Sequence, residues 1–451
     1  MPIRDLLVMG FFAAGVGATL WRPYIGLCVW IIFTYFAPHH HTWSFAYDFS
    51  YVFIIAIVTM GSMALNNAAK MPKPLTATYM LGALVIWAGI TTVFAFDTGA
   101  ALEEYIDALK IITLGVVTML LVQDRWTFHV VLTCLAASIL FYGVKGGLFV
   151  LATGGNYIVF GPPEHFMQAN NGLGVALLMM LPIAWFLGTE ASNKWVRWGW
   201  FGTIPLSALA ILSTYSRGAV LALGCTAIYW AIASGRKKLG IAVLALFPVA
   251  LFAFMPDALI ERMETIENYE QDRSAMQRIE MWKYGLEIAK QHPFGGGFDV
   301  YPMYHLYEEY GVDMDYFSKG RSSHSIYFEV LGQHGFVGLA IFLAMGISLF
   351  LACGRIRRSY ASVTAQNFAA AVQISLVAYA VGGAFVNKAF HWPITFQLLG
   401  LVTAAATIFA SVETSPSATE AQPAQAKARP GVGRPTPPRR RRLPRARPTR
   451  S

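Results

Sequence analysis

Residues 325–352 read SIYFEVLGQHGFVGLAIFLAMGISLFLA. This apolar run is long enough to cross a bilayer as one helix, which needs roughly 17 to 25 predominantly apolar residues. Similar runs recur to both sides of it. Candidate spans lie near 5–20, 22–37, 50–65, 75–95, 106–122, 126–143, 170–188, 199–214, 217–234, 238–255, 325–352, 367–385 and 393–412. Of the 451 residues, 56% are hydrophobic and only 13% are charged. Soluble domains carry about a quarter charged residues, so the expected class is an all-α polytopic membrane protein.

Short basic loops punctuate the spans on alternating sides. They hold Lys70 and Lys73; Arg125; Lys194 and Arg197; Arg236, Lys237 and Lys238; and Arg355, Arg357 and Arg358. Such loops stay in the cytoplasm. The opposite loops, 38–49, 96–105, 144–169, 215–216, 256–324 and 386–392, are then expected to face outside. The first two runs are short and split by Trp21-Arg22-Pro23. Either they form a shallow hairpin or one boundary is misplaced; about twelve crossings are expected, and the side of the N-terminus stays open.

The resulting division is a transmembrane bundle at 1–255, a large polar loop at 256–324, further transmembrane helices at 325–412 and a basic tail at 413–451. Within the loop, 257–271 and 274–291 are compatible with helix. Of the 34 basic and 25 acidic residues, ten and one lie in 414–451, leaving 24 of each in the rest. The whole formal charge of +9 therefore belongs to a Pro- and Ala-rich tail, which reads as a disordered cytoplasmic segment. The four cysteines, Cys28, Cys134, Cys225 and Cys353, show neither disulfide nor zinc spacing.

Several polar groups interrupt this apolar background. Ser216-Arg217-Gly218 lies between two spans, where an arginine is costly unless it snorkels or faces a polar cavity. On the loop stretch 274–291, Arg278 shares a helix face with Trp282 and Ser274. Two guanidinium groups can each grip phosphate oxygens in a fork. Gly295-Gly296-Gly297 follows Pro293 and would either bring backbone amides to a ligand or form a hinge. In Ser322-Ser323-His324-Ser325, a serine can cap the next helix and leave His324 at its positive N-terminus. Any nearby arginine adds to that field, and both effects favour the neutral imidazole, which can accept a proton.

Lys145 and Lys388 fall at expected outer membrane borders, where they would meet substrate or lipid phosphates or simply snorkel. Asn170-Asn171 opens a span after Gly161-Pro162-Pro163. His39-His40-His41 has no carboxylate or cysteine beside it and is a weak metal site; His334 and His391 read as packing or cavity residues. No nucleotide-binding loop or acidic metal–sugar-nucleotide cluster occurs, so neither a cofactor, a metal, a nucleotide nor a nucleic-acid partner is expected.

Together these segments resemble the O-antigen ligase/polymerase superfamily of bacterial membrane glycosyltransferases. The likeness runs from Met-Pro-Ile-Arg-Asp-Leu and Arg22-Pro23-Tyr24-Ile25-Gly26 to the last span. It is strongest at Ser216-Arg217-Gly218, at Arg278 and Trp282 leading to His292-Pro293-Phe294-Gly295-Gly296-Gly297, and at His324-Ser325-Ile326-Tyr327 before Gly335-Phe336-Val337-Gly338. Lys145-Gly146-Gly147 and Gly161-Pro162-Pro163 with Asn170-Asn171 look like the O-glycosylation ligase branch. The family often has Asn and Glu where this chain has Ser325 and Gln333.

The resemblance implies a GT-C-like fold in the inner membrane, and transfer of a glycan from undecaprenyl pyrophosphate to an acceptor hydroxyl at the periplasmic face. The implied acceptor is lipid A–core oligosaccharide; other branches use a second glycan or a protein Ser/Thr. Arg217 and Arg278 would hold the diphosphate and His324 would act as base in an inverting, metal-independent displacement. Trp282, Gly296, Arg321, Lys145, Asn170 and Lys388 would line the substrate. The rival from another class is a lipid-linked glycan transporter, against which no span carries an ordered proton relay.

Overall fold

The computed structural model describes residues 3–233 and 273–410. The basic tail, the expected span 238–255 and the stretch 257–271 lie outside the described residues. Among those described there is no strand, and the chain is an all-α polytopic membrane protein. Its helices are α1 (Ile3–Trp21), α2 (Pro23–Ile31, continued by a π turn to Phe36), α3 (Tyr51–Leu65), α4 (Thr76–Val93), α5 (Thr98–Leu121), α6 (Arg125–Thr153), α7 (Asn170–Glu190), α8 (Lys194–Leu212) and α9 (Arg217–Ala233). After the undescribed segment come α10 (Arg273–Gln291), α11 (Ile326–Ser359), α12 (Val363–Gly382) and α13 (Pro393–Ala410).

Seven of these (α1, α4, α6, α7, α11, α12 with its following turn, and α13) are long and apolar enough to span a membrane. α2 with its π turn, α3 and α9 are apolar but shorter. Without a hydrophobic force between helices inside lipid, close packing holds such a bundle together. Glycines permit it here: a Cβ on Gly115 of α5 would stand 2.6 Å from the Phe396 carbonyl oxygen of α13, and one on Gly147 of α6 would stand 2.2 Å from that of Leu206 on α8.

Hydrogen bonds between chain segments sort the helix ends into two groups. At one end, which carries the short basic loops, the Lys70 amide donates to Leu120, the Lys73 amide to the Thr407 hydroxyl, and Arg357 to the Ala233 carbonyl. At the other end the Val159 amide donates to Ser213, the Phe96 amide to Gly296 and the Ala389 amide to Glu329. The large loop belongs to this second, loop end. The side of the N-terminus, open from sequence, also becomes defined relative to the bundle. Asp5 accepts from the Ala46 amide in the 38–49 loop, while the Thr19 and Leu20 carbonyls receive Ser62 and Asn66 near the C-terminus of α3. α1 and α2 therefore run in opposite directions as separate helices, α1 starting at the loop end.

Three local expectations need correction. α5 begins at Thr98, because the Asp97 side chain accepts from Gly99 and Ala100 and caps it within the expected loop 96–105. α6 runs on to Thr153, where Gly154 at φ +66° ends it, so Lys145 lies within a helix and not in the expected loop 144–169. α11 extends through Arg355, Arg357 and Arg358, which the sequence places in a loop, and its run is not one continuous helix. It breaks at Gly335 (φ +67°, ψ −172°).

The described part of the large loop has a core of its own. Met281, Tyr284 and Ile288 of α10 pack with Val300, Tyr301, Tyr307, Tyr310 and Phe317. α10 spans residues 273–291, close to the stretch 274–291 expected from the sequence. It lies against α11.

Candidate functional site

His324 sits in a tight turn directly before α11. Ser325 is the helix N-cap residue, but no side chain caps the helix; the Ser323 hydroxyl instead receives the Ser325 amide at 3.4 Å, which corrects the expected cap at Ser322 or Ser323. The turn forces His324 to φ +49°, a left-handed conformation that a residue with a Cβ rarely adopts. Trp282 holds the turn from α10: its indole nitrogen donates to the Ser323 carbonyl at 2.9 Å, and its ring stacks on Phe328 with centroids 5.0 Å apart. Arg278 lies one helical turn before Trp282, on the face turned toward this site.

Electrostatics follow from that placement. Burial lowers the His324 pKa to about 4, and the Arg278 and Arg321 guanidinium groups add to the effect. The imidazole is therefore neutral at ordinary pH. Its Nδ1 is buried and has no hydrogen-bond partner. A buried polar atom left unpaired costs about 1–3 kcal/mol, so its persistence asks for an explanation.

Arg217 is the first residue of α9, whose N-terminus is capped by the Ser216 hydroxyl receiving the Ala219 amide at 3.2 Å. Tyr215 just before it is also left-handed, at φ +52°. A 3-10 turn at Gly383–Phe385 links the two helix starts. A Cβ on Gly218 would meet the Phe385 ring at 2.6 Å, and one on Gly383 would meet Ile326 at 2.4 Å. Arg217, Arg278, Arg321 and His324 thus share the loop end of the bundle. Asn170, expected at the substrate, donates its side-chain amide to the Thr214 carbonyl at 2.7 Å and so braces the turn before Arg217.

The glycine run serves a different purpose from anion binding. The Gly296 amide donates to the Gly332 carbonyl at 2.8 Å and the Gly297 amide to Gln333 at 2.9 Å. These bonds take up carbonyls freed where α11 breaks, so the Gly296 amide is engaged within the protein. Neighbouring glycines are required by contact: a Cβ on Gly335 would lie 2.3 Å from the Pro293 carbonyl oxygen.

Lys145 stands beside His41, where it helps lower that imidazole's pKa after burial. The His39–His41 rings pack among Phe33, Tyr47, Tyr51 and Tyr142. Among the described residues no group of three or more His, Cys, Asp or Glu is arranged to hold a metal ion. His334 is fully buried with Nδ1 2.6 Å from the Thr91 hydroxyl, and His391 lies 3.2 Å from Glu104.

Two cavities adjoin the His324 turn. One, of about 250 Å³, is apolar and runs from Ile326 and Tyr327 between α11, α12 and α13 past Leu349 and Leu399. The other, of about 520 Å³, is polar and is walled by Ser322, Ser323, Lys388 and several carboxylates. Sequence reasoning found Lys388 but missed these acids, which come from segments far apart in the chain.

Comparison with known proteins agrees with this layout. Residues 201–343 match the family model described as O-antigen ligase, and residues 3–191 match a family of unknown function. The first match spans α8 to the first half of α11 and so contains Arg217, Arg278 and His324. Over that segment, about a third of its length, the chain is similar to the O-antigen ligase family. A search of curated proteins found no match.

Proposed function

We propose that the protein is a periplasm-facing glycosyltransferase of the inner membrane. It would transfer a glycan from undecaprenyl pyrophosphate to an acceptor hydroxyl, with lipid A–core oligosaccharide as the acceptor. The observation that carries this reading is the His324 turn, where a neutral, partly unbonded imidazole is held in a strained backbone beside two guanidinium groups. Strain and shifted proton affinity gather at functional sites.

In the proposed reaction an imidazole nitrogen takes the acceptor hydroxyl proton as the oxygen attacks the anomeric carbon. The bond from that carbon to the diphosphate oxygen breaks, and the configuration inverts. Arg217, Arg278 and Arg321 hold the diphosphate and stabilise the charge that develops on it. An imidazole with a pKa of about 4 is a weak base in the free protein. A bound diphosphate offsets the field of Arg278 and Arg321, which raises the proton affinity of His324 toward the working pH. Donor binding thus prepares the base. The apolar cavity starting at Ile326 suits the lipid part of the donor.

The test is transfer by purified protein from a lipid-linked glycan to lipid A–core. His324→Ala is expected to lower the turnover about 10²–10⁴-fold. Transfer by that variant at the wild-type rate would remove the proposed base. Chain growth from the lipid-linked repeat unit alone would reassign the protein as a polymerase.

A further inference from the structure

The polar cavity is unlike the arginine cluster in charge. Five carboxyl side chains line it, Glu104, Asp107, Glu164, Asp299 and Glu329, against Lys388; Asp107 is paired with Lys110 at 2.6 Å, and Glu329 is buried and accepts the Ala389 amide. Charge of this sign repels a diphosphate, so the cavity is not the donor's anion site. Its volume of about 520 Å³ lies within the ~300–1,000 Å³ usual for small-molecule clefts.

An acidic cluster alone says little, but a second observation points to a ligand. Gln333 lines the cavity, is only 8% exposed, and its Oε1 has no hydrogen-bond partner. That oxygen is an acceptor waiting for a donor. The cavity wall is also strained: Glu164 (φ +53°), Asp299 (φ +64°) and Lys388 (φ +78°) all take left-handed backbone. Each such residue costs on the order of 1–3 kcal/mol, and such strain clusters at ligand sites. Ser322 and Ser323 join the cavity to the His324 turn.

We propose that this cavity is the subsite for the accepting sugar ring, and that it admits neutral polyhydroxylated rings while turning away phosphorylated or carboxylated ones. The inference rests on the glycosyl-transfer reading for its name as an acceptor site. Sugar hydroxyls are donors, and carboxylates accept from them in charge-assisted bonds. The Gln333 Oε1 takes one further hydroxyl, and its NH₂ group can give a bond back. A phosphate or uronate on the ring would set anion against anion in a partly desolvated space, where repulsion is stronger than in water. A divalent ion fits less well, because the acids do not converge as a coordination set.

Saturation-transfer NMR on the full chain in lipid nanodiscs tests this without donor or turnover. The probes are a panel of neutral trisaccharides, each paired with its 6-phosphate. Wild-type protein is expected to give signal with at least one neutral sugar and at least fivefold less with its phosphate. Gln333→Leu should weaken the neutral signal about tenfold. The pair Glu104→Gln and Asp299→Asn should let the phosphorylated sugar in, which guards against misreading a misfolded Gln333 variant. Binding by no member of the panel, equal binding of both forms, or loss of the sugar signal on adding Ca²⁺ would each overturn the proposal. Because no transfer is measured, an active His324→Ala protein would sink the proposed chemistry and leave this result standing on its own.

Discussion

At the scale of single residues, His324 gives the sharpest expectations. Its pKa in the folded chain, about 4, lies below the usual 6.5, so the unfolded chain binds more protons between those values. Stability from this group is full above about pH 6.5 and is lost as pH falls toward 4. Thermal unfolding from pH 4 to 7 should therefore show a smaller pH slope in His324→Gln than in the wild type. Activity has a related signature. The acid limb of kcat/KM should fall near pH 4 in the wild type and move to higher pH in Arg278→Gln, because one cation facing the imidazole is gone. A limb that stays in place would show that Arg278 does not act on His324. Rate at the optimum should also fall on the order of 10²–10³-fold in that variant. Trp282→Phe keeps an aromatic ring against Phe328 but loses the bond to the Ser323 carbonyl. A net loss of about 0.5–1.5 kcal/mol is expected, read as a three- to tenfold drop in kcat with little change in donor affinity. The motif residues Arg217, Arg278 and His324 were legible in the sequence because their types are costly or reactive where they stand. Asn170 and Gly296 were legible only as positions; what they bond to depends on chain that arrives from elsewhere.

At the scale of elements, the break in α11 lies on the helix that follows the His324 turn. Irregular backbone within a membrane bundle survives only where protein or a polar cavity satisfies its carbonyls. Here Gly296 and Gly297 do so, and Gly335 makes the turn possible. Gly335→Ala places a Cβ into the Pro293 carbonyl in a left-handed backbone. It should destabilise by about 1–3 kcal/mol or more, seen as a lower melting temperature in detergent. Gly346→Ala in the same helix meets nothing within 4 Å and should melt at or above the wild-type temperature. Equal melting of the two variants would show that the break is not held by this contact. Apolar periodicity announced α11 as a single span. It gave no warning of the break, because the deciding contact is with Pro293, more than forty residues earlier.

At the scale of the whole molecule, charge is divided by position. Short basic loops occupy one end of the bundle, and the folded loop with its own aromatic core occupies the other. If basic loops stay inside the cell, Glu308→Cys should react with a membrane-impermeant maleimide added from the periplasm, whereas Lys194→Cys should react only after the membrane is opened. The reverse pattern would invert the proposed orientation. The membrane class and the order of the helices were readable from residues alone, since burial in lipid is a free energy each segment carries by itself. The sequence also singled out the arginines and the histidine on which the proposed chemistry rests. Bringing α9, α10 and α11 to one end, breaking α11 and gathering Glu104, Asp299 and Glu329 around one hollow were settled by packing. Those outcomes depend on contacts between segments up to hundreds of residues apart, and no local stretch of chain encodes them.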